Sequence, residues 1–106
     1  MQRVAMMARL KPERIEEYKE NHKHVWRGVL EAIDEAGMRN YSIFLRGNEL
    51  FLYFEAEDGE EALKKVWEFP EVRRWNEISL QMFESMDEKG TIFVPMESVF
   101  YHPGKK

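Results

Sequence analysis

The sequence predicts an α+β domain in which helices cover one face of an antiparallel sheet. Short β-rich runs and longer runs of helical spacing follow one another in the order β-α-β-β-α-β. Of the 106 residues, 43 % are hydrophobic and 13 % aromatic, which is enough for one compact core. We therefore expect a single domain over residues 1–106.

The first two elements are a strand and a long amphipathic helix. Residues 2–10 form a short apolar run, and Pro12 suits the first turn of a helix because its missing N–H needs no partner there. Over residues 12–36 the apolar positions are spaced by three, four or seven, with charged residues between them. Gly28 marks a place for a bend or an early end, and Gly37 is a suitable stop.

A hairpin and a broken second helix follow. The β-rich runs 41–45 and 50–56 flank a polar stretch containing Gly47, which predicts a tight turn. Asp58 or Gly59 is expected to cap the next helix, and Pro70 to interrupt it before a further helical stretch that ends near Phe83.

The C-terminal part is predicted to contain strands over residues 91–94 and 97–101, followed by a loose tail at 102–106. The complete order is that of the ferredoxin-like split βαβ motif. The uncovered face of such a sheet commonly packs on a partner, as in dimeric α/β barrels, so the sequence also predicts a homodimer.

Composition excludes several classes of function. Sixteen Lys and Arg against 20 Asp and Glu give a net charge of −4, which argues against a nucleic-acid partner. There is no cysteine, hence no disulfide framework and no thiolate nucleophile or metal ligand. No apolar run approaches the roughly 18 residues that cross a bilayer, and no signal peptide is apparent. We expect a cytoplasmic protein with no membrane partner.

His22 is the most informative candidate for chemistry. The spacing of Tyr18, His22 and Trp26 is i, i+4, i+8, which predicts that all three lie on the apolar stripe of the first helix. Histidine titrates near neutral pH and suits general acid–base work in a pocket. A structural histidine bonded to a backbone carbonyl satisfies the same pattern. His24 points elsewhere, is expected to be solvated and forms no i, i+4 metal-binding pair with His22.

Aromatic and amide side chains supply candidate binding groups. Tyr18 and Tyr41 each pair an aromatic body with a polar tip, and Trp75 is followed by Asn76, which combines a stacking surface with a hydrogen-bonding amide. From the pattern alone, ordinary core packing with a satisfied hydroxyl is the favoured interpretation of the tyrosines, and a tryptophan more often fills a core than contacts a ligand.

Four collinear segments extend over nearly the whole chain: Glu17-Tyr18-x-x-x-His22-x-x-x-Trp26, Asn40-Tyr41-Ser42-Ile43, Arg74-Trp75 and Glu97-Ser98-Val99-Phe100-Tyr101. With these segments the chain resembles the L-rhamnose mutarotases. The resemblance implies a dimeric ferredoxin-like enzyme that interconverts the α and β anomers of L-rhamnose and needs no cofactor.

The resemblance also implies roles for individual residues. His22 matches the family's proton donor, Tyr18 and Tyr41 match its substrate-binding tyrosines, and Trp75 with Asn76 matches its sugar-binding pair. Family members can carry a second aromatic residue at the position of Asn76 and a proline at that of His24. The preferred 6-deoxyhexose is therefore left open.

Two other functions remain open from the sequence. A small dimeric α/β-barrel oxygenase or decarboxylase, with or without haem, would use the same fold and one buried histidine. A sugar-binding module without catalysis would use the same tyrosines and tryptophan.

Overall fold

Within residues 1–105, which the computed structural model describes, the chain forms one five-stranded sheet and four α-helices. The strands are Gln2–Leu10 (β1), Arg39–Arg46 (β2), Glu49–Ala56 (β3), Phe83–Glu84 (β4) and Val94–Pro95 (β5). The helices are Ile15–Asn21 (α1), Arg27–Glu35 (α2), Gly59–Trp67 (α3) and Pro70–Ser79 (α4), and Pro12–Arg14 and Leu80–Met82 form 3-10 turns. None of the helices in this part of the chain is both long and apolar enough to cross a bilayer.

The sheet is antiparallel throughout, in the order β2-β3-β1-β4. Strand β3 pairs with one edge of β1 over residues 2–9 of β1. The short strands β4 and β5 both pair with the other edge of β1. Alternate residues of β3 (Leu50, Leu52, Phe54 and Ala56) are buried and pack with the helices, as expected for a strand with one covered face. The predicted α+β class, with helices on one face of an antiparallel sheet, is confirmed.

The predictions for the hairpin and α3 are also confirmed. Gly47 turns the chain between β2 and β3 with φ +62°, a backbone conformation that glycine adopts without steric cost. The Asp58 side chain accepts a hydrogen bond from the Glu61 N–H and caps α3. Pro70 begins α4, as its fixed φ favours at a first helical position.

The predicted single helix over residues 12–36 is wrong, because the chain breaks between α1 and α2 at residues 22–26. His22 ends α1, and Trp26 precedes α2 with an extended backbone (φ −60°, ψ 140°). Asparagine, histidine and β-branched valine are weak helix formers, and they are concentrated in this segment. The helix therefore breaks here, and not at Gly28, which lies within α2. Tyr18, His22 and Trp26 therefore do not share one helical stripe.

The predicted C-terminal strands need a similar correction. Only Val94 of the segment 91–94 pairs with β1, and residues 97–101 are irregular. The pairing of this segment with β1 ends where the Met96 N–H donates to the Ala5 carbonyl, and Arg3 then contacts Ser98 and Tyr101 through its side chain. Phe83, expected in a helix, instead pairs with Leu10. Residues 102–105 have no regular structure, and the last residue of the predicted tail, Lys106, lies outside the described residues.

Candidate active site

The helix layer and the sheet enclose a groove of about 1150 Å³, which we call the interlayer groove. Four of the five predicted site residues line it: His22, Tyr41, Trp75 and Asn76. Its apolar walls come from both layers and include Met6, Ile33, Ile43, Leu52 and Val66. Tyr18 does not line the groove, because its side chain is 5 % exposed and packs against the His22 ring. The structure thus joins residues that are far apart in the sequence.

His22 is held by the last turn of α1. The carbonyl oxygen of Tyr18 lies 3.0 Å from Nδ1 of the His22 ring and also accepts the His22 backbone N–H. A carbonyl only accepts hydrogen bonds, so Nδ1 carries the proton and the neutral ring keeps its lone pair at Nε2. Burial lowers the pKa of His22 below its ordinary value of 6.5, against the opposing effect of the Tyr18 carbonyl. The ring is therefore neutral at neutral pH.

The two tyrosines contribute differently. The Tyr41 side chain is 39 % exposed, and its ring stacks on Phe54 with centroids 6.1 Å apart. Protein packed around its hydroxyl end raises the pKa of Tyr41. Burial also raises the pKa of Tyr18, and the nearby Tyr41 hydroxyl raises it further. Both phenols remain protonated at neutral pH, so each hydroxyl can donate a hydrogen bond.

Helix α4 supplies Trp75 and Asn76. Trp75 is buried, and its ring meets the rings of His22 and Trp26 edge to face, with centroids 5.4 Å and 5.2 Å away. Trp26 reaches this cluster despite the break in the helix. Asn76 is half-buried at the groove wall and makes no side-chain hydrogen bond with another described residue. Its amide is available to a polar ligand.

Sequence reasoning missed Asn40, which also lines the interlayer groove. It is the one non-glycine residue with positive φ within residues 1–105, at φ 53°. The signal was present, because asparagine tolerates this conformation and precedes the candidate Tyr41. His24 is largely exposed, as predicted.

A second cavity of about 670 Å³ lies between α2 and the start of α4. It is lined by acidic side chains, among them Glu31, Asp34, Glu35 and Glu71, and by none of the predicted site residues. In the described part of the chain, no three His, Asp or Glu side chains are grouped so that they would hold a metal ion. The interlayer groove is therefore the candidate active site.

Comparison with solved structures supports the fold. An L-rhamnose mutarotase from Formosa agariphila superposes with a TM-score of 0.77 at 22 % identity, covering 96 % of this chain and 99 % of that one. Tetracenomycin F2 cyclase from Streptomyces glaucescens gives a TM-score of 0.74 at 18 % identity, over 99 % and 100 % of the two chains. A dimeric ferredoxin-like protein from an uncultured marine organism gives 0.54 at 14 % identity, over 98 % and 95 %. At these identities the likeness shows the ferredoxin-like fold alone.

Sequence comparison goes further. The L-rhamnose mutarotase of Listeria monocytogenes is 34 % identical over 103 residues, 95 % of this chain and 98 % of its relative. That of Bacillus subtilis is 30 % identical over the same shares of both chains. The family model for L-rhamnose mutarotase matches residues 3–102. These matches confirm the predicted resemblance over almost the whole length, and the chain belongs to the L-rhamnose mutarotase family.

Proposed function

We propose that this protein interconverts the α and β anomers of L-rhamnose in the interlayer groove. The observation that carries the proposal is the placement of His22, a neutral histidine whose Nδ1 is occupied by the Tyr18 carbonyl. Nε2 of His22 is therefore free to accept a proton, and the ring that carries it lies on the groove wall. The family match supplies the substrate class.

Mutarotation needs one proton moved between two oxygens on the same carbon. In the proposed step, Nε2 of His22 takes the proton from the anomeric hydroxyl, and the C1–O bond to the ring oxygen breaks as the aldehyde C=O forms. The imidazolium then delivers the proton to the former ring oxygen. Rotation about C1–C2 and the reverse sequence close the ring on the other face, so no proton or electron is gained or lost. A positioned histidine typically accelerates such a step about 10²–10⁴-fold.

The other residues would bind and orient the sugar. We propose that Tyr41 and Asn76 hydrogen-bond its hydroxyls and that Trp75, which lines the groove wall, contacts an apolar face of the sugar ring. Tyr18 does not line the groove, and we propose that it assists substrate binding from behind the wall, by its hydroxyl near that of Tyr41 and by fixing the orientation of His22. We propose that the whole chain, residues 1–106, works as one domain.

We further propose that the protein acts as a homodimer in the cytoplasm. Phe44 is 62 % exposed on the sheet face without helices, and its ring lies 6.2 Å from that of Phe51. An exposed aromatic side chain beside a second aromatic ring on an uncovered sheet face offers apolar area that a partner would bury. The absence of cysteine fits a reducing compartment.

Saturation-transfer NMR between the two anomeric proton signals of L-rhamnose tests the proposed activity. We expect catalytic amounts of protein to accelerate exchange, His22→Ala to lose about 10²–10⁴-fold, and the exposed neighbour His24→Ala to retain the rate. Repeating the measurement with L-fucose and D-galactose ranks the sugars. Binding of a sugar without faster exchange would instead indicate a sugar-binding module, and acceleration that survives His22→Ala would refute the assigned role.

A further inference from the structure

Strand β2 is interrupted by a bulge directly before Tyr41. Arg39 pairs with Glu55 and Ser42 pairs with Tyr53, so two residues of β2 face the single residue Phe54 of β3. The first of these two residues is Asn40, whose φ of 53° places it in the left-handed region. A left-handed first residue is the arrangement of a G1-type bulge, in which glycine usually occupies this position.

Side-chain hydrogen bonds fix this bulge. Nδ2 of Asn40 donates to Oε1 of Glu55 at 2.9 Å, and the Tyr53 hydroxyl donates to Oε2 of the same carboxylate at 2.6 Å. The Ser42 hydroxyl donates to the Asn40 carbonyl at 3.0 Å. Both neighbours of Tyr41 in β2 therefore take part in the network. The Asn40–Glu55 bond ties the edge strand to β3 at the point where β2 leaves the regular ladder.

We propose that Asn40 is a positioning residue for Tyr41: its left-handed backbone forms the bulge that places the phenol in the interlayer groove, while its bond to Glu55 adds to the stability of that bulge. Bulges bend the strand that carries them and redirect side chains, and they are common at sheet edges beside active sites. Strand β2 is an edge strand, and Tyr41 lines the groove. The inference deepens the proposed function and rests on it for its effect on catalysis.

Glycine and asparagine are the residue types that fit the observed backbone. A β-branched side chain is strained at positive φ, and Asn40→Val also removes the hydrogen bond to Glu55. Asn40→Gly keeps the backbone conformation and loses only that bond. The pair of variants separates the contribution of the backbone from that of the side chain. Asn40→Ala is a milder form of the same strain, to be used if the valine variant does not fold.

The experiment compares exchange rates at subsaturating L-rhamnose. We expect Asn40→Val to lower the rate about 5–10-fold, as loss of one neutral hydrogen bond to the sugar would, and Tyr41→Phe to lower it by a similar factor. Asn40→Gly should stay within about twofold of the unchanged protein. Asn48→Val, the same change at the opposite end of the hairpin and away from the groove, should leave the rate unaltered.

A double-mutant cycle separates positioning from a general structural effect. If Asn40 acts through the Tyr41 hydroxyl, adding Asn40→Val to Tyr41→Phe should cause little further loss. A structural defect elsewhere would reduce the rate by the product of the two factors. Full additivity, or an unaltered rate in Asn40→Val, would overturn the proposal.

A second readout does not depend on activity. In protein with ¹³C-labelled tyrosine, the Tyr41 ring signal is identified by its loss in Tyr41→Phe. It should shift in Asn40→Val and stay in place in Asn40→Gly and Asn48→Val, whereas an unmoved signal in Asn40→Val would refute the positioning role. If no sugar shows accelerated exchange, the proposed function fails, while this signal still decides whether Asn40 positions Tyr41.

Discussion

Nδ1 of His22 lies 3.0 Å from the carbonyl oxygen of Tyr18, one helical turn earlier in the chain. The contact occupies the ring nitrogen that faces its own helix and assigns the proton to it. The Tyr18 ring also packs on the imidazole, with centroids 4.1 Å apart and an angle of 32° between the planes. Tyr18 thus determines both the tautomer and the orientation of the proposed acid–base group.

The first prediction concerns the pH dependence of catalysis. Burial holds the pKa of His22 below 6.5, so the neutral ring that accepts the anomeric proton predominates at pH 7. The enzyme-catalysed exchange rate should be level near neutral pH and fall as the pH drops below 6.5 through this lowered pKa. Saturation-transfer NMR from pH 5 to pH 8, after subtraction of the uncatalysed rate, measures the profile. A rate that rises toward acid would show that the imidazolium starts the reaction.

The same shift predicts how stability changes with pH. Because the pKa of His22 is lower in the folded chain than in the unfolded chain, the unfolded chain binds the proton first as pH falls. The contribution of His22 to the free energy of unfolding should therefore be complete above about pH 6.5 and decrease below it. Urea denaturation of the unchanged protein and of His22→Gln isolates this term, which the variant should lack. Equal pH slopes for the two proteins would contradict the shift.

The second prediction concerns Asn76. Its half-buried amide is free to bond a sugar hydroxyl, so Asn76→Ala should weaken sugar binding about 5–10-fold with little effect on folding. Titration of tryptophan fluorescence with L-rhamnose measures the affinity. Glu77→Ala, the exposed next residue of α4, is the matched control and should bind normally. An unchanged affinity in Asn76→Ala would exclude the contact.

The third prediction tests the proposed dimer. Placing a charge at Phe44, which is 62 % exposed on the open sheet face, should disrupt an apolar interface there because the carboxylate would lose its hydration. Analytical ultracentrifugation should find a dimer for the unchanged protein and a monomer for Phe44→Glu. Arg46→Glu is the control, because it adds negative charge at another exposed position of the same strand without removing an apolar side chain. A monomer in the unchanged protein would refute the homodimer.

The fourth prediction concerns packing between α3 and β1. A Cβ atom at Gly59 would lie 2.6 Å from Cγ2 of Val4, a stiff β-branched side chain. Gly59→Ala should therefore lower the free energy of unfolding by about 1–3 kcal/mol, as overpacking typically does. Urea denaturation measures the change, and Glu60→Ala at the neighbouring exposed position should have a much smaller effect. A stabilised Gly59→Ala would show that β1 shifts without cost.

The sequence determined the elements whose signals are local. Strand β1, the hairpin turn at Gly47, the Asp58 cap and the Pro70 start of α4 all depend on residues within a few positions of each other. Short-range preferences of glycine, proline and capping side chains are strong enough to decide such features. The family resemblance likewise rests on local segments, and it is shown over residues 3–102.

Tertiary structure decided where the first helical segment breaks and whether the last apolar segment forms a strand. Helical spacing favoured one helix through residues 12–36, but the chain turns at 22–26, where His22 bonds Tyr18 and Trp26 packs on Trp75. Residues 97–101 have β-type composition but form no strand: the pairing of β5 with β1 ends beside Ala5, and Arg3 contacts Ser98 and Tyr101 through its side chain.

The candidate site shows the same division. The sequence identified His22, Tyr41, Trp75 and Asn76 as chemically suitable, but their common position on one groove depends on three different elements meeting in space. The placement of Tyr18 behind His22, the tautomer of the imidazole and the bulge at Asn40 follow from contacts with neighbouring backbone and with β3. Residue type determines which chemistry is available. Packing and hydrogen bonds in the folded chain determine where the reactive atoms lie and which of them are protonated.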